Sequence, residues 1–329
     1  ESPVKEVAKK HNIPVFQPEK VRRDKEFIDK IKELNADVSV IVAFGQILPK
    51  EVLEAPKYGS INVHGSLLPK YRGAAPIQWA VINGETTTGV TTMYMDEGLD
   101  TGDMIFKEET EIGKEETAGE LYERLKVMGA NLLVKTLDAI EKGNAPREKQ
   151  VGGSTYAHML TKETGSIDWN KTSKEIDCLV RGVNPWPSAY TEIAGKKFKV
   201  HKVAISDEKG IPGNIIYADN KKGLVIGTGD GAIELLEIQP ENKKRMSAKD
   251  YLRGNTLLKG AYFVIDSKEI EKISAEAGEL RAFRARKYVR EKRINVKCIK
   301  ENEDGSHTIE ANVKGSYDNR YDVIINEYN

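Results

Sequence analysis

Only two cysteines, Cys178 and Cys298, occur in 329 residues. They stand far apart and outside any Cys-x-x-Cys spacing, which excludes a disulfide framework and argues against a zinc site. A reducing, cytoplasmic setting follows as the expectation. No apolar run approaches the roughly 18–20 residues of a bilayer-crossing helix, so no membrane span is expected. Neither sign of charge is in excess: 51 basic residues balance 51 acidic ones, and bulk charge announces no nucleic-acid partner. An initiator methionine is absent. Glu1-Ser2-Pro3-Val4-Lys5 leads into a polar amphipathic helix without the apolar stretch of a signal peptide, so the sequence is expected to begin inside a longer one. A Gly-rich phosphate cradle is missing too, because Gly-x-Gly within 227–231 opens no helix. Neither His-Glu-x-x-His nor Gly-x-Ser-x-Gly occurs.

What is present is a globular chain, 39% hydrophobic and 31% charged, long enough for two or three domains. Phe27, Ile28, Ile31 and Leu34 share one helical face, and the apolar run from Val38 to Phe44 follows at once, ended by Gly45. A helix followed by a nearly all-apolar strand predicts an α/β domain with a mostly parallel sheet covered on both faces. Ser60–His64 and Gly89–Met95 read as further strands, and Thr117 with Glu120 as a capping box opening a long helix. This domain spans residues 1–161. Across 162–255, Thr172 and Glu175 cap a further helix. Short β-rich runs at 196–204, 213–217, 223–227 and 232–238 then suggest a small closed barrel. Residues 165–254 carry 15 Lys and Arg against 12 Asp and Glu, a mildly positive surface. Residues 256–329 form an α+β extension, with a basic helical stretch over 281–293 and alternating segments at 294–299, 307–313 and 320–325.

The densest chemical signal is Asn62-Val63-His64-Gly65-Ser66-Leu67-Leu68-Pro69. Side chains at i and i+2 of a strand share a face, so Asn62 and His64 project together from a strand end. A carboxamide can donate to an oxygen gaining charge, and an imidazole can accept and return a proton. A packed histidine with a turn-forming asparagine fits the same residues. The loop Met95-Asp96-Glu97-Gly98-Leu99-Asp100-Thr101-Gly102-Asp103 offers carboxylates that could orient that imidazole, or simply a solvated acidic turn. Its spacing fits no EF-hand. Tyr71-Arg72-Gly73-Ala74-Ala75-Pro76 places an arginine before a helix, suited to an anion or a carbonyl.

Taken together, Ala43-Phe44-Gly45-Gln46-Ile47-Leu48-Pro49, the segment from Ile61 to Gln78, and Met95–Asp103 resemble the methionyl-tRNA formyltransferase family. Ile167-Asp168-Trp169, Arg181-Gly182-Val183-Asn184-Pro185-Trp186-Pro187 and Gly229-Asp230-Gly231 follow in matching order, and the resemblance ends near residue 254. It implies a doubly wound formyltransferase-type domain followed by an OB-like barrel that holds tRNA. It implies transfer of a formyl group from 10-formyltetrahydrofolate to the amine of initiator methionyl-tRNA. The chain is expected to be a cytoplasmic monomer without a metal. Asn62, His64 and Asp100 match the family's catalytic trio. Phe44, Gly45, Ile47 and Leu48, with Ser66, Leu67, Leu68 and Pro69, match its folate-lining segments. Arg72, Lys196, Lys197, Lys199 and Lys202 are the expected tRNA contacts. Family members start with a further strand, helix, strand and basic loop, so the first strands are expected to be missing. Two alternatives stay open: a folate- or tRNA-binding protein without turnover, and a formyltransferase acting on a sugar nucleotide or purine precursor.

Overall fold

The computed structural model describes residues 1–193, 196–257, 294–301, 307–314 and 320–327, with side chains for 1–192 and 197–257. The chain forms two compact units: residues 1–77, 87–112 and 122–159, and residues 78–86, 113–121 and 160 onward. Among the described residues no helix is long and apolar enough to cross a membrane.

In the first unit, Ser2 caps helix α1 (Pro3–Lys10), whose residues all remain outside the core. Asp24 caps α2 (Lys25–Glu33) by accepting from the Phe27 amide at 2.9 Å. Its Phe27, Ile28 and Ile31 pack with Val21, Leu48 and Val52. Leu34 departs from the expected stripe: it lies at the C-cap and is 59% exposed. Strand β1 (Ser39–Ile41) is shorter than the run Val38–Phe44, because Ala43 and Gly45 adopt left-handed conformations (φ +47° and +73°) that turn the chain out of the sheet. After α3 (Lys50–Leu53) come β2 (Ser60–His64), the two-residue β3 (Arg72–Gly73) and α4 (Pro76–Ile82). Then follow β4 (Thr87–Tyr94), β5 (Met104–Glu111), the long helix α5 (Ala118–Glu141) and β6 (Tyr156–Ala157). The expected capping box at the start of α5 is present, with Glu120 accepting from the Thr117 amide and the Thr117 hydroxyl capping the Glu120 amide.

The sheet order is β1-β2-β4-β5. Within this sheet β1 and β2 are parallel, and β4 runs antiparallel to both β2 and β5. The expected mostly parallel sheet is therefore a mixed one. Its apolar strands come from burial, not direction: β4 is buried at seven of eight positions. The nine residues between β4 and β5 are too few for the crossover of about a dozen that a parallel pair requires. Ile61 packs with Tyr94, Ile105 and Ile140. A Cβ at Gly129 of α5 would lie 3.0 Å from Val63. Helix α5 thus covers the Ile61/Val63 face of β2, and Ser60, Asn62 and His64 occupy the opposite face.

The second unit is built on α6 (Ser173–Gly182) and the strands β7 (Ala189–Ile193), β8 (Lys196–Ser206), β9 (Ile215–Asp219), β10 (Gly223–Gly227), β11 (Ala232–Pro240) and β12 (Met246–Ser247). Helix α7 (Ala248–Gly254) follows. The strands form one antiparallel sheet in the order β7-β8-β11-β10-β9, with β12 beside β11. Among the described residues no pair joins β9 back to β7. Phe198, Val200, Val203, Leu224, Ile226, Ile233, Leu235 and Ile238 bury one face of the sheet against Ile176 and Val180 of α6. Strands β13 (Ile294–Glu301), β14 (His307–Lys314) and β15 (Arg320–Glu327) form a separate antiparallel meander where the alternating segments were expected. The basic stretch 281–293 lies outside the described residues.

Candidate active site

Strand β2 delivers its polar face to one place. The Asn62 carboxamide donates to Asp100 Oδ1 at 3.3 Å, and His64 Nδ1 lies 3.7 Å from Asp100 Oδ2. The three residues expected to act together are thus brought together, although they come from two segments nearly forty residues apart. Asn62 and His64 are 9% and 5% exposed, and the Asp100 side chain 12%. Charges and dipoles here act through little water, which strengthens them.

What fixes these groups is a strip of main chain. His64 Nε2 lies 2.8 Å from the Tyr71 carbonyl, so Nε2 carries the proton and donates, and Nδ1 is turned toward Asp100. The 3.7 Å separation from Asp100 is an ion-pair distance, longer than a direct hydrogen bond. The imidazole is therefore oriented by Tyr71, a partner that no side-chain pattern could reveal. Two residues on, the Gly73 amide donates to Asp100 Oδ2 at 2.9 Å. Gly73 has φ +111°, and a Cβ there would stand 2.8 Å from the Ala157 carbonyl, so this close approach needs glycine. Asp100 itself sits in the left-handed region at φ +53°, which aspartate tolerates better than most residues.

The strip is held from outside by the segment after α5. Tyr71 and Arg72 amides donate to Thr155 Oγ1 and O at 2.9 and 2.8 Å, and β3 pairs with β6. Arg72 donates through Nε and Nη2 to Gln150 Oε1 at 2.9 and 2.8 Å, so this arginine is committed inside the site. Gln150 was not singled out in the sequence.

The folate-lining candidates divide. Phe44 and Ile47 are exposed on the loop that leaves β1, Gly45 turns that loop, and Leu48 packs onto the α2 cluster. Because β1 and β2 are parallel, with Ile41 opposite Asn62, this loop leaves the sheet at the end where His64 sits. Ser66 and Leu68 are buried. The Ser66 hydroxyl donates to Lys70 O at 2.7 Å, and Leu68 packs on Met93 and Met104. Thr91 braces this turn, donating to Ser66 O and accepting from the Leu68 amide. Leu67 and Pro69 are half-buried. A cleft of about 530 Å³ opens beside the acidic loop, between Lys50, Leu53, Ser60, Met95, Gly98 and Arg147. Ser60 stands two residues before Asn62 on the same face of β2. Met95 and Gly98 belong to the acidic loop read from the sequence and Ser60 to its second strand, whereas Lys50, Leu53 and Arg147 carry no sequence signal.

In the second unit, Phe198 and Val200 are buried, which turns Lys197 and Lys199 to the outer face of β8. Lys197 Nζ lies 3.4 Å from the centre of the Tyr190 ring, Lys199 is exposed, and Lys202 pairs with Glu115 at 3.2 Å. The Lys196 side chain lies outside the described residues. Among the described residues no group of three or more His, Cys, Asp or Glu is placed to hold a metal ion.

The chain is similar to known proteins. Residues 1–137 match the formyl transferase family model, and residues 159–256 match that of the formyl transferase C-terminal domain. The chain is 58% identical over 262 residues to the methionyl-tRNA formyltransferase of Clostridioides difficile, covering 79% of this chain and 84% of that one. It is 52% identical over 259 residues to the enzyme of the same name from Geobacter metallireducens, covering 78% and 83%. Among solved structures it is similar to the sugar 3N-formyl transferase WlaRD, with a TM-score of 0.55 and 25% identity over 74% of this chain and 83% of that one. HypX from Aquifex aeolicus shares the fold, with a TM-score of 0.54 and 18% identity over 73% of this chain and 44% of that longer one. Two matched domains in the right order, with more than half of the residues identical across most of a relative's length, place this chain in the methionyl-tRNA formyltransferase family.

Proposed function

We propose that the chain moves a formyl group from 10-formyltetrahydrofolate to the α-amine of methionyl initiator tRNA, the step that prepares this tRNA for translation initiation. The observation that carries the reading is the convergence of an amide, an imidazole and a carboxylate at the end of β2. The identity to the Clostridioides difficile and Geobacter metallireducens enzymes supports tRNA as the acceptor over a sugar.

In this reading Asn62 spends one N–H on Asp100 and directs the other at the formyl oxygen as it gains negative charge. Removing a donor of this kind costs on the order of 10²–10³ in rate. His64 Nδ1 takes the proton released by the attacking amine and returns it to the departing nitrogen of the donor, while Nε2 stays on the Tyr71 carbonyl. Asp100 stabilises the imidazolium formed between the two transfers. The new N–C bond forms on the amine as the donor's N–C bond breaks, leaving tetrahydrofolate.

The half-buried Leu67 and Pro69 and the exposed Phe44 and Ile47 form the folate-binding surface. Ser66 and Leu68 act there as the support of the turn. The antiparallel sheet of the second unit serves as an OB-like tRNA-binding surface, with Lys197, Lys199 and Lys202 as phosphate contacts. Arg72 serves the trio through Gln150. Incubating the 329-residue chain with methionyl-tRNA and 10-formyltetrahydrofolate should give formylmethionyl-tRNA, and His64→Ala should abolish it. Absence of product with the unaltered chain, or wild-type rates from His64→Ala, would overturn the reading.

A further inference from the structure

The Gln150 carboxamide uses its whole hydrogen-bonding capacity. Its oxygen accepts from Arg72 Nε and Nη2, and its nitrogen donates to the Asp100 and Gly102 carbonyls at 2.9 and 2.8 Å. The partners fix the orientation of this amide, since a flipped group would set oxygen against two carbonyls and nitrogen against a guanidinium. Through these four bonds Gln150 ties the Asp100–Gly102 backbone to Arg72, the residue between Tyr71 and Gly73. Tyr71 holds His64, and Gly73 holds the Asp100 carboxylate. The acidic loop and the imidazole thus share one frame, joined at Gln150.

We propose that Gln150 is a positioning residue for formyl transfer: it acts through Asp100, setting the place of that carboxylate against Asn62 and His64. Asp100 is exposed to this control. Its backbone is left-handed, and its carboxylate is held by the Gly73 amide at 2.9 Å and by longer contacts with Asn62 and His64, at 3.3 and 3.7 Å, so its place depends on how its main chain is fixed to the Arg72 strip. The inference rests on the formyl-transfer reading.

A double-mutant cycle in the 329-residue chain separates positioning from general bracing. Gln150→Leu keeps the size and removes all four bonds; kcat for formyl transfer should fall on the order of 10–100-fold, with KM for donor and tRNA within about threefold. Gln150→Glu can still accept from Arg72 but offers no N–H to either carbonyl, so it should fall as far. Combined with Asp100→Asn, Gln150→Leu should cost less than about threefold further, because the group it positions is already disabled. In parallel, amide hydrogen exchange at residues 101–103 should speed up in Gln150→Leu without any substrate. A wild-type kcat in Gln150→Leu, full wild-type rate in Gln150→Glu, or a penalty that multiplies undiminished onto Asp100→Asn refutes the role. Unchanged exchange refutes it as well. That last measurement needs no turnover, so an inactive parent chain would count against formyl transfer alone.

Discussion

Gly102→Ala is a one-carbon change at the hinge between strand and site. A Cβ on Gly102 would fall 1.9 Å from the Tyr94 carbonyl oxygen, 2.9 Å from its carbon and 3.4 Å from the Asp96 amide. All three are main-chain atoms, and Tyr94 is tied in place by its amide bond to the Asp103 carbonyl at 2.8 Å. The alanine must retreat by roughly 1.5 Å to reach ordinary contact, and the loop holding Asp100 moves with it. A carboxylate accepting at 2.9 and 3.3 Å loses both bonds under such a shift. Misplacement of about 1 Å can cost on the order of 10² in rate. Losing the two Gln150 bonds should also remove about 1–3 kcal/mol of stability. Steady-state formylation of methionyl-tRNA at saturating donor measures the first effect, and urea unfolding the second. Gly254→Ala is the control, since nothing lies within 4 Å of the added carbon. A Gly102→Ala enzyme within threefold of the parent rate would show that the loop tolerates displacement, and the argument from close contact would fail.

Thr91→Val removes a fully buried hydroxyl that donates to Ser66 O at 2.7 Å and accepts from the Leu68 amide at 3.1 Å. Two buried main-chain groups lose partners, so unfolding free energy should drop by about 2–4 kcal/mol, read from the urea midpoint. The Glu175 carboxyl is held below the usual glutamate range, first by the Thr172 amide and then by the Thr172 hydroxyl. Its contribution to α6 is therefore complete above the ordinary glutamate value and disappears as pH falls through the lower folded-state value. Glu175→Gln should flatten that part of the acid-unfolding curve. Burial pushes the Cys178 thiol up, so alkylation at pH 7.5, mapped by mass spectrometry, should run at least about tenfold slower in the native chain than in urea.

Features governed by local rules were legible in the sequence. Thr117 with Glu120 and Thr172 with Glu175 form the reciprocal bonds that their three-residue spacing demands. The shared face of Asn62 and His64 follows from strand alternation alone. Strand direction was not legible, because a strand covered on both faces is apolar whichever way it runs, as β4 demonstrates. Nor was the frame around the trio. Tyr71 acts through its carbonyl and Gly73 through its amide, so neither residue type names its partner, and Gln150 reaches a loop some fifty residues earlier with no periodicity to mark it.

The pairing of β3 with β6 sets an order of events for a chain emerging from a ribosome. Asn62, His64 and Asp100 are all delivered early, yet Thr155 arrives more than eighty residues after the Tyr71 and Arg72 it receives. Closing so long a loop carries an entropic penalty that two short strands must offset late in synthesis. Competence is thus acquired with the final stretch of the first unit, and a substrate that fits the finished site favours that closure by mass action.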